Sequence, residues 1–152
     1  MIKLKKVYLW VLCLTLLQTL AACGGAEGRI PVSFYSNQNH SLKHKFSAEL
    51  AVTPAQREQG LMYRKSLGAD RGMLFIFPKL TQTAFWMQNT LIPLDMVFIS
   101  PDKKVVSIVE NAEPQTTTPR RAEGPFQYVF EIEGGRSKQL GLQAGDQVEF
   151  SQ

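Results

Sequence analysis

The sequence predicts a mainly β fold, a β-rich α+β arrangement forming a small barrel- or sandwich-like single domain with two short helices. Three observations predict it. Apolar residues recur with a period of two in several short runs, Pro, Gly, Asn and Asp separate those runs at short intervals, and only two stretches carry helix signals.

The first 22 residues are set apart as a leader. MIKLKK is short and cationic, VYLWVLCLTLL is apolar but too short to span a bilayer comfortably, and LAAC follows. The spacing of Leu20, Ala21, Ala22 and Cys23 resembles the bacterial lipoprotein lipobox, in which the cysteine sulfur receives a diacylglycerol and becomes the first mature residue. Cys23 is therefore expected to be a lipidation site, because two or more acyl chains anchor stably where one does not. The expected address is the bacterial cell envelope, extracytoplasmic. Gly24 after the cysteine favours an outer membrane, facing the periplasm, if the source has two membranes.

Loss of the leader changes the charge balance. The chain carries 17 Lys and Arg against 13 Asp and Glu; Lys3, Lys5 and Lys6 leave with the leader, so 14 face 13. A nucleic-acid footprint requires clustered surviving cations, and the tightest pair, Arg120-Arg121, reads as a solvated loop. No nucleic-acid partner is expected. Cys13 also leaves, so Cys23 is the one mature cysteine and no disulfide is expected within the chain. The 130 residues that remain suit one domain with one core.

Residues 23–43 read as the lipidated cysteine and a tether, rich in Gly, Ser, Asn and Gln, with an r.m.s. reach of roughly 25 Å. Ile30, Pro31, Val32, Phe34 and Tyr35 offer the alternative of docking on the domain. The globular unit is expected over residues 44–152. It opens with Phe46, Ala48, Leu50 and Val52 on one side of a strand and Ser47 and Glu49 on the other. Thr53-Pro54-Ala55-Gln56 then spells a helix start, with Thr53 as cap, Pro54 at the first helical position, Gln56 reaching back and Gly60 closing the turn. Met73–Phe77, the stretch around Phe85–Met87, LDMVFI, VVSIV, YVFEIE and a terminal VEF are strand candidates. In YVFEIE, Glu131 and Glu133 are expected on a wet face opposite Tyr128, Phe130 and Ile132. SKQLGL from Ser137 is the second helix, with Ser137 as its cap.

REQGLMYRKSL, GMLFIF, FWMQNTLIPLDMVFI and VVSIVENAEP, in this order, resemble the prokaryotic family known as domain of unknown function 192, over about Phe46 to Phe150. The resemblance implies a compact β-rich fold, often secreted or lipid-anchored. It implies no established reaction.

Function is therefore sought in the residues. LIPLDMVFI places Ile92, Leu94, Met96 and Phe98 on one face and Pro93, Asp95, Val97 and Ile99 on the other, so both faces are apolar apart from Asp95. A carboxyl in such surroundings needs a partner. Arg64 or Arg71 could supply it, turn amides could supply it, or Asp95 could orient a ligand. Asn89-Thr90 reads as a turn closed by its own side chains. Trp86, Asn89, Asp95, Arg64 and Arg71 make up the candidate ligand site. Met62, Met73 and Met87 form an alternative soft-metal set, since thioethers favour Cu(I). Against it, Met73 alternates with Phe75 and Phe77, and Met87 with Phe85, as core positions do. His40 and His44 are expected in solvent. The chain lacks a G-x-S-x-G elbow and a mature nucleophilic cysteine, which leaves carboxylate chemistry through Asp95 and Glu110 as the enzymatic alternative. The expectation is a non-catalytic accessory domain without a cofactor. It is held at the membrane by its anchor and binds a small molecule or an envelope protein; a carboxylate-based hydrolase is the second expectation.

Overall fold

The computed structural model describes residues 28–151. The expected leader, Cys23 and the first part of the expected tether lie outside them. Seven strands and two short helices follow in the order β1 (Arg29–Tyr35), β2 (Leu42–Ala51), α1 (Pro54–Gln59), β3 (Arg71–Thr81), β4 (Leu94–Ile99), β5 (Val105–Ala112), β6 (Phe126–Glu133), α2 (Arg136–Gln139) and β7 (Gln147–Glu149). They form a single curled sheet, a half-barrel with strand order β5-β4-β6-β3-β2-β1-β7. The fold is mainly β, as the alternating runs predict.

Every neighbouring pair is antiparallel except β2 with β3. A parallel pair needs a crossover, and residues 52–70, containing α1, provide it. Curling brings the two ends of the sheet together at one corner. There Lys104 bridges Gln147, Val105 N donates to Asp146 O at 2.9 Å, and Val148 N donates to Lys103 O at 2.8 Å.

Strand alternation divides the apolar residues between two cores. Val32, Phe34, Phe46, Leu74, Val97, Phe130 and Ile132 fill the concave side. Met73, Phe75, Met96, Phe98 and Val129 point the other way and are covered by Leu61, Leu67 and Met87 from the segments that cross over that face. Strand β4, next to the edge strand β5, is buried along its whole length, in keeping with its two apolar faces. Gly72 is part of this packing: a Cβ there would lie 2.4 Å from the Phe130 ring and 2.7 Å from Glu131 O.

The helix-start signal is realised in full. Thr53 Oγ1 accepts from Gln56 N at 3.2 Å, Thr53 N donates to Gln56 Oε1 at 2.9 Å, and Gly60 N closes the turn on Gln56 O.

Several expectations are corrected. Residues 29–35 are a strand paired with β2 and, from Ser33, with β7, so the folded unit starts before residue 44 and the docking alternative for Ile30 to Tyr35 is the one that forms. Phe85–Met87 makes no strand; Phe85 forms one isolated bridge with Arg120. Val52 lies beyond β2 and is 48% exposed. Gly135, at φ 81°, caps α2, while Ser137 sits inside that helix and turns its hydroxyl inward. The wet face of β6 reduces to Glu133. Glu131 is only 4% exposed, because the crossover and the segment around Phe85 cover the outer face that it shares with Val129.

Candidate functional site

The cleft lies on this outer face. β6 runs between β4 and β3, and its register sets Glu131 opposite Met96 on one side and Met73 on the other. Residues directly across a sheet share a face, so the carboxyl is flanked by two thioether side chains, which have no hydrogen to donate. Above it, α1 and the turn after it form one wall, and residues 83–86 form the other. Together they enclose about 230 Å³.

Aromatic rings supply much of the lining. Phe85 meets Phe75 edge to face at 5.5 Å and Phe77 at 6.2 Å, and Trp86 stands at the rim, 51% exposed. Gly60 allows the helix end to approach, since a Cβ at this position would be 3.1 Å from the Phe75 ring. Arg57 lines the cleft from α1, but its guanidinium is already engaged. Nη1 donates to Val52 O and, at 3.0 Å, to Ile76 O, and the group lies 5.0 Å over the centre of the Phe77 ring.

Glu131 is the exceptional group here. Its carboxyl has no hydrogen-bond donor among the described residues, and burial alone pushes its pKa up to about 8. Desolvation disfavours the charged form, and no donor or cation offsets it. At neutral pH the acid is mostly protonated, an arrangement that can donate one hydrogen bond or, on ionising, receive a cation.

The five residues expected to form a ligand site do not meet. Asp95 is fully buried and its two oxygens accept four hydrogen bonds, from Asn111 N (2.6 Å), Gly135 N (2.8 Å), Ser137 N (2.7 Å) and Ser137 Oγ (2.6 Å). It ties β4 to the end of β5 and to the turn into α2, away from the cleft lining. Arg64 is bound elsewhere. Its guanidinium forks Glu49 at 2.9 and 2.5 Å, and with Arg29 at 2.7 Å it holds the Glu49 carboxyl down at about 2, the Arg64 hydrogen bond being the largest cause. Arg71 is exposed. Asn89 adopts a left-handed turn at φ 57°, its carbonyl accepts from Tyr63 N, and its side-chain amide reaches Met62 Sδ at 3.9 Å. Trp86 alone of the five lines the cleft.

The methionine set divides in the same way. Met73 and Met87 are buried in the outer core, whereas Met62 is half-buried at the cleft. Among the described residues no three His, Cys, Asp or Glu side chains cluster as metal ligands would. His44 Nε2 lies 2.8 Å from Asp70 Oδ1, and the His40 ring stacks on Tyr35 at 4.8 Å. Of the acids proposed for catalysis, Asp95 is sealed by its donors and Glu110 is exposed.

Sequence reasoning missed Glu131. The usable signal was that YVFEIE lies between apolar strands and carries Val129 on the same face as the acid, which marks a covered face rather than a wet one.

Fold and cleft together define a small β-rich half-barrel with an apolar pocket over one buried acid. Residues 35–150 match the model of the DUF192 family, described as an uncharacterised ACR, and the chain belongs to that family. Two crystal structures are similar to it. One is a protein from Sinorhizobium meliloti 1021, provisionally described as a transcription regulator; it is 40% identical, the match covers 81% of this chain and 94% of that one, and the TM-score is 0.77. The other is a protein of unknown function from Novosphingobium aromaticivorans DSM 12444, 40% identical, with 85% and 91% covered and a TM-score of 0.75. No curated protein matches the chain.

Proposed function

We propose that the protein is a lipid-anchored accessory domain of the bacterial envelope, extracytoplasmic, that binds a small ligand in the cleft above Glu131. The observation that carries this is an almost fully buried carboxyl that opens into a cleft lined by aromatic rings. Apolar pockets with a few convergent polar groups are where small molecules bind. The volume of about 230 Å³ suits a ligand the size of one ring or one side chain. A nucleic-acid regulator, the description given to the Sinorhizobium relative, would need clustered cations, and 14 basic residues against 13 acidic ones after the leader give no such excess. A carboxylate hydrolase would need two acids facing one cleft. Glu58, the other acid of this one, is exposed.

The anchor is argued from Leu20–Cys23. With Arg29 already in the sheet, residues 24–28 alone link Cys23 to the domain, a reach of at most about 18 Å, so the domain would ride close to the headgroups. Cys23→Ala is expected to abolish acylation and move the protein from the membrane to the soluble fraction; continued membrane association would contradict the anchor.

Ligand binding is tested by a fragment screen on the purified full chain, following thermal stability. A ligand at a hundred times its Kd adds about 2.7 kcal/mol. Stabilising fragments are expected to lose their effect when Ala84→Trp fills the cleft. Equal stabilisation of both proteins would place binding elsewhere.

A further inference from the structure

The feature left without a role by packing is the direction in which Glu131 can be satisfied. Among the described residues no side chain is hydrogen-bonded to it, and burial is the one cause of its raised pKa. Met73 and Met96 flank it on the sheet. The charged groups sharing its cleft are Arg57 and Glu58 of α1, while the segment 83–90 contributes no charge. Arg57 is held by two carbonyls and the face of Phe77. A buried acid lacking a cation, beneath the faces and edges of Phe75, Phe85 and Trp86, is complementary to a compact positive charge on an apolar body. The carboxyl supplies the counter-ion and the rings supply favourable contact with a cation. A neutral ligand would meet the carboxyl only in its protonated form, and an anion would oppose its ionisation.

We propose that the ligand of this cleft is a small organic ammonium, whether a free amine or a lysine-like side chain, paired through its nitrogen with Glu131. This rests on the cleft being a ligand site, as argued above, and goes beyond it by naming the chemistry. Binding at neutral pH ionises the acid: the carboxyl proton passes to the buffer, the ligand keeps its own, and an ammonium–carboxylate pair forms. Affinity therefore rises with pH and levels off once the free carboxyl is ionised, above about 8.

The test is calorimetry of the purified full chain at pH 7, in two buffers with different protonation heats. The probes are benzylamine, a lysine with both backbone ends blocked, benzyl alcohol and benzoate. Trp86 fluorescence is followed in parallel. Benzylamine or the blocked lysine is expected to bind one to one, to release close to one proton, and to weaken by about tenfold or more in Glu131→Gln. The stronger of the two identifies the source of the ammonium. Gln is nearly isosteric with the neutral acid, so the variant is expected to fold, and an unchanged circular dichroism spectrum and urea midpoint at pH 5 serve as the control. Equal affinity for benzyl alcohol or benzoate, binding without proton release, or an amine affinity untouched by Glu131→Gln would each overturn the cation inference. If no amine binds while cleft-dependent fragments do, this inference fails and the ligand-site reading stands. If neither binds, both fail.

Discussion

Replacing Asp95 with Asn is expected to lower the unfolding free energy by about 3–5 kcal/mol, measured by urea denaturation, because two buried donors lose their acceptor. Each carboxyl oxygen accepts twice, Oδ1 from Asn111 N and Gly135 N, Oδ2 from Ser137 N and Oγ. An amide retains one of these oxygens. In place of the other it brings an NH₂ group facing two N–H or O–H donors, so the loss is repulsive as well as unsatisfied. The three segments that Asp95 joins, the end of β5, the turn after β6 and α2, should loosen together. Because Asp95 lies outside the cleft lining, ligands of the cleft should bind Asp95→Asn with unchanged affinity while the protein stays folded. A change within about 0.5 kcal/mol would show that the four donors find other partners.

Glu131→Gln is expected to do the opposite, stabilising the protein at alkaline pH. In the folded protein the Glu131 acid titrates near 8, against an ordinary value of 4.5. Between those two values the unfolded chain has given up a proton that the folded chain keeps. Wild-type stability therefore falls as pH rises through that window and levels off above it, by at most about 1.4 kcal/mol per pH unit. Gln does not titrate, so the variant should follow a flatter curve and exceed the wild type at pH 8 by up to several kcal/mol. Glu49 sets the acid side with the reverse sign. Its pKa is held down to about 2 by Arg64 and Arg29, so the stability it adds is present above 4.5 and lost as pH falls towards 2. Urea curves at pH 5 and pH 8 test both proteins; parallel pH profiles would contradict a buried, unpartnered acid.

The fold was legible where a local signal and the tertiary environment agree. Thr53, Pro54, Gln56 and Gly60 specify α1 through chemistry confined to one turn, and that turn forms as written. Strand β4 could be recognised as covered on both sides because its apolar alternation is uninterrupted except at Asp95. Where pairing partners lie far along the chain, the signal was weaker. Arg29–Tyr35 shows alternation at Ile30, Val32 and Phe34 within a polar neighbourhood, and Pro31 argues against a ladder. It is accommodated in the part of β1 that β7 does not reach. The candidate site was legible only at Trp86. Asp95 was recognised as a buried acid needing partners, and three of its four donors are backbone or side-chain groups of the turn into α2, 40 and 42 residues away. Glu131 looked solvent-facing because Glu133 shares its face and Phe130 and Ile132 take the other. What buries it is the crossover and the 83–86 segment, and within YVFEIE only Val129, on the same face, reports on them.

The measurement closest to the central claim is a carbon-13 NMR titration of the Glu131 side-chain carboxyl in the full chain, assigned by its loss in Glu131→Gln. A midpoint near 8 is expected for an acid buried in the cleft without a protein partner. A midpoint in the ordinary carboxylate range would mean that Glu131 is hydrated or paired, and would contradict the cleft as the site of function.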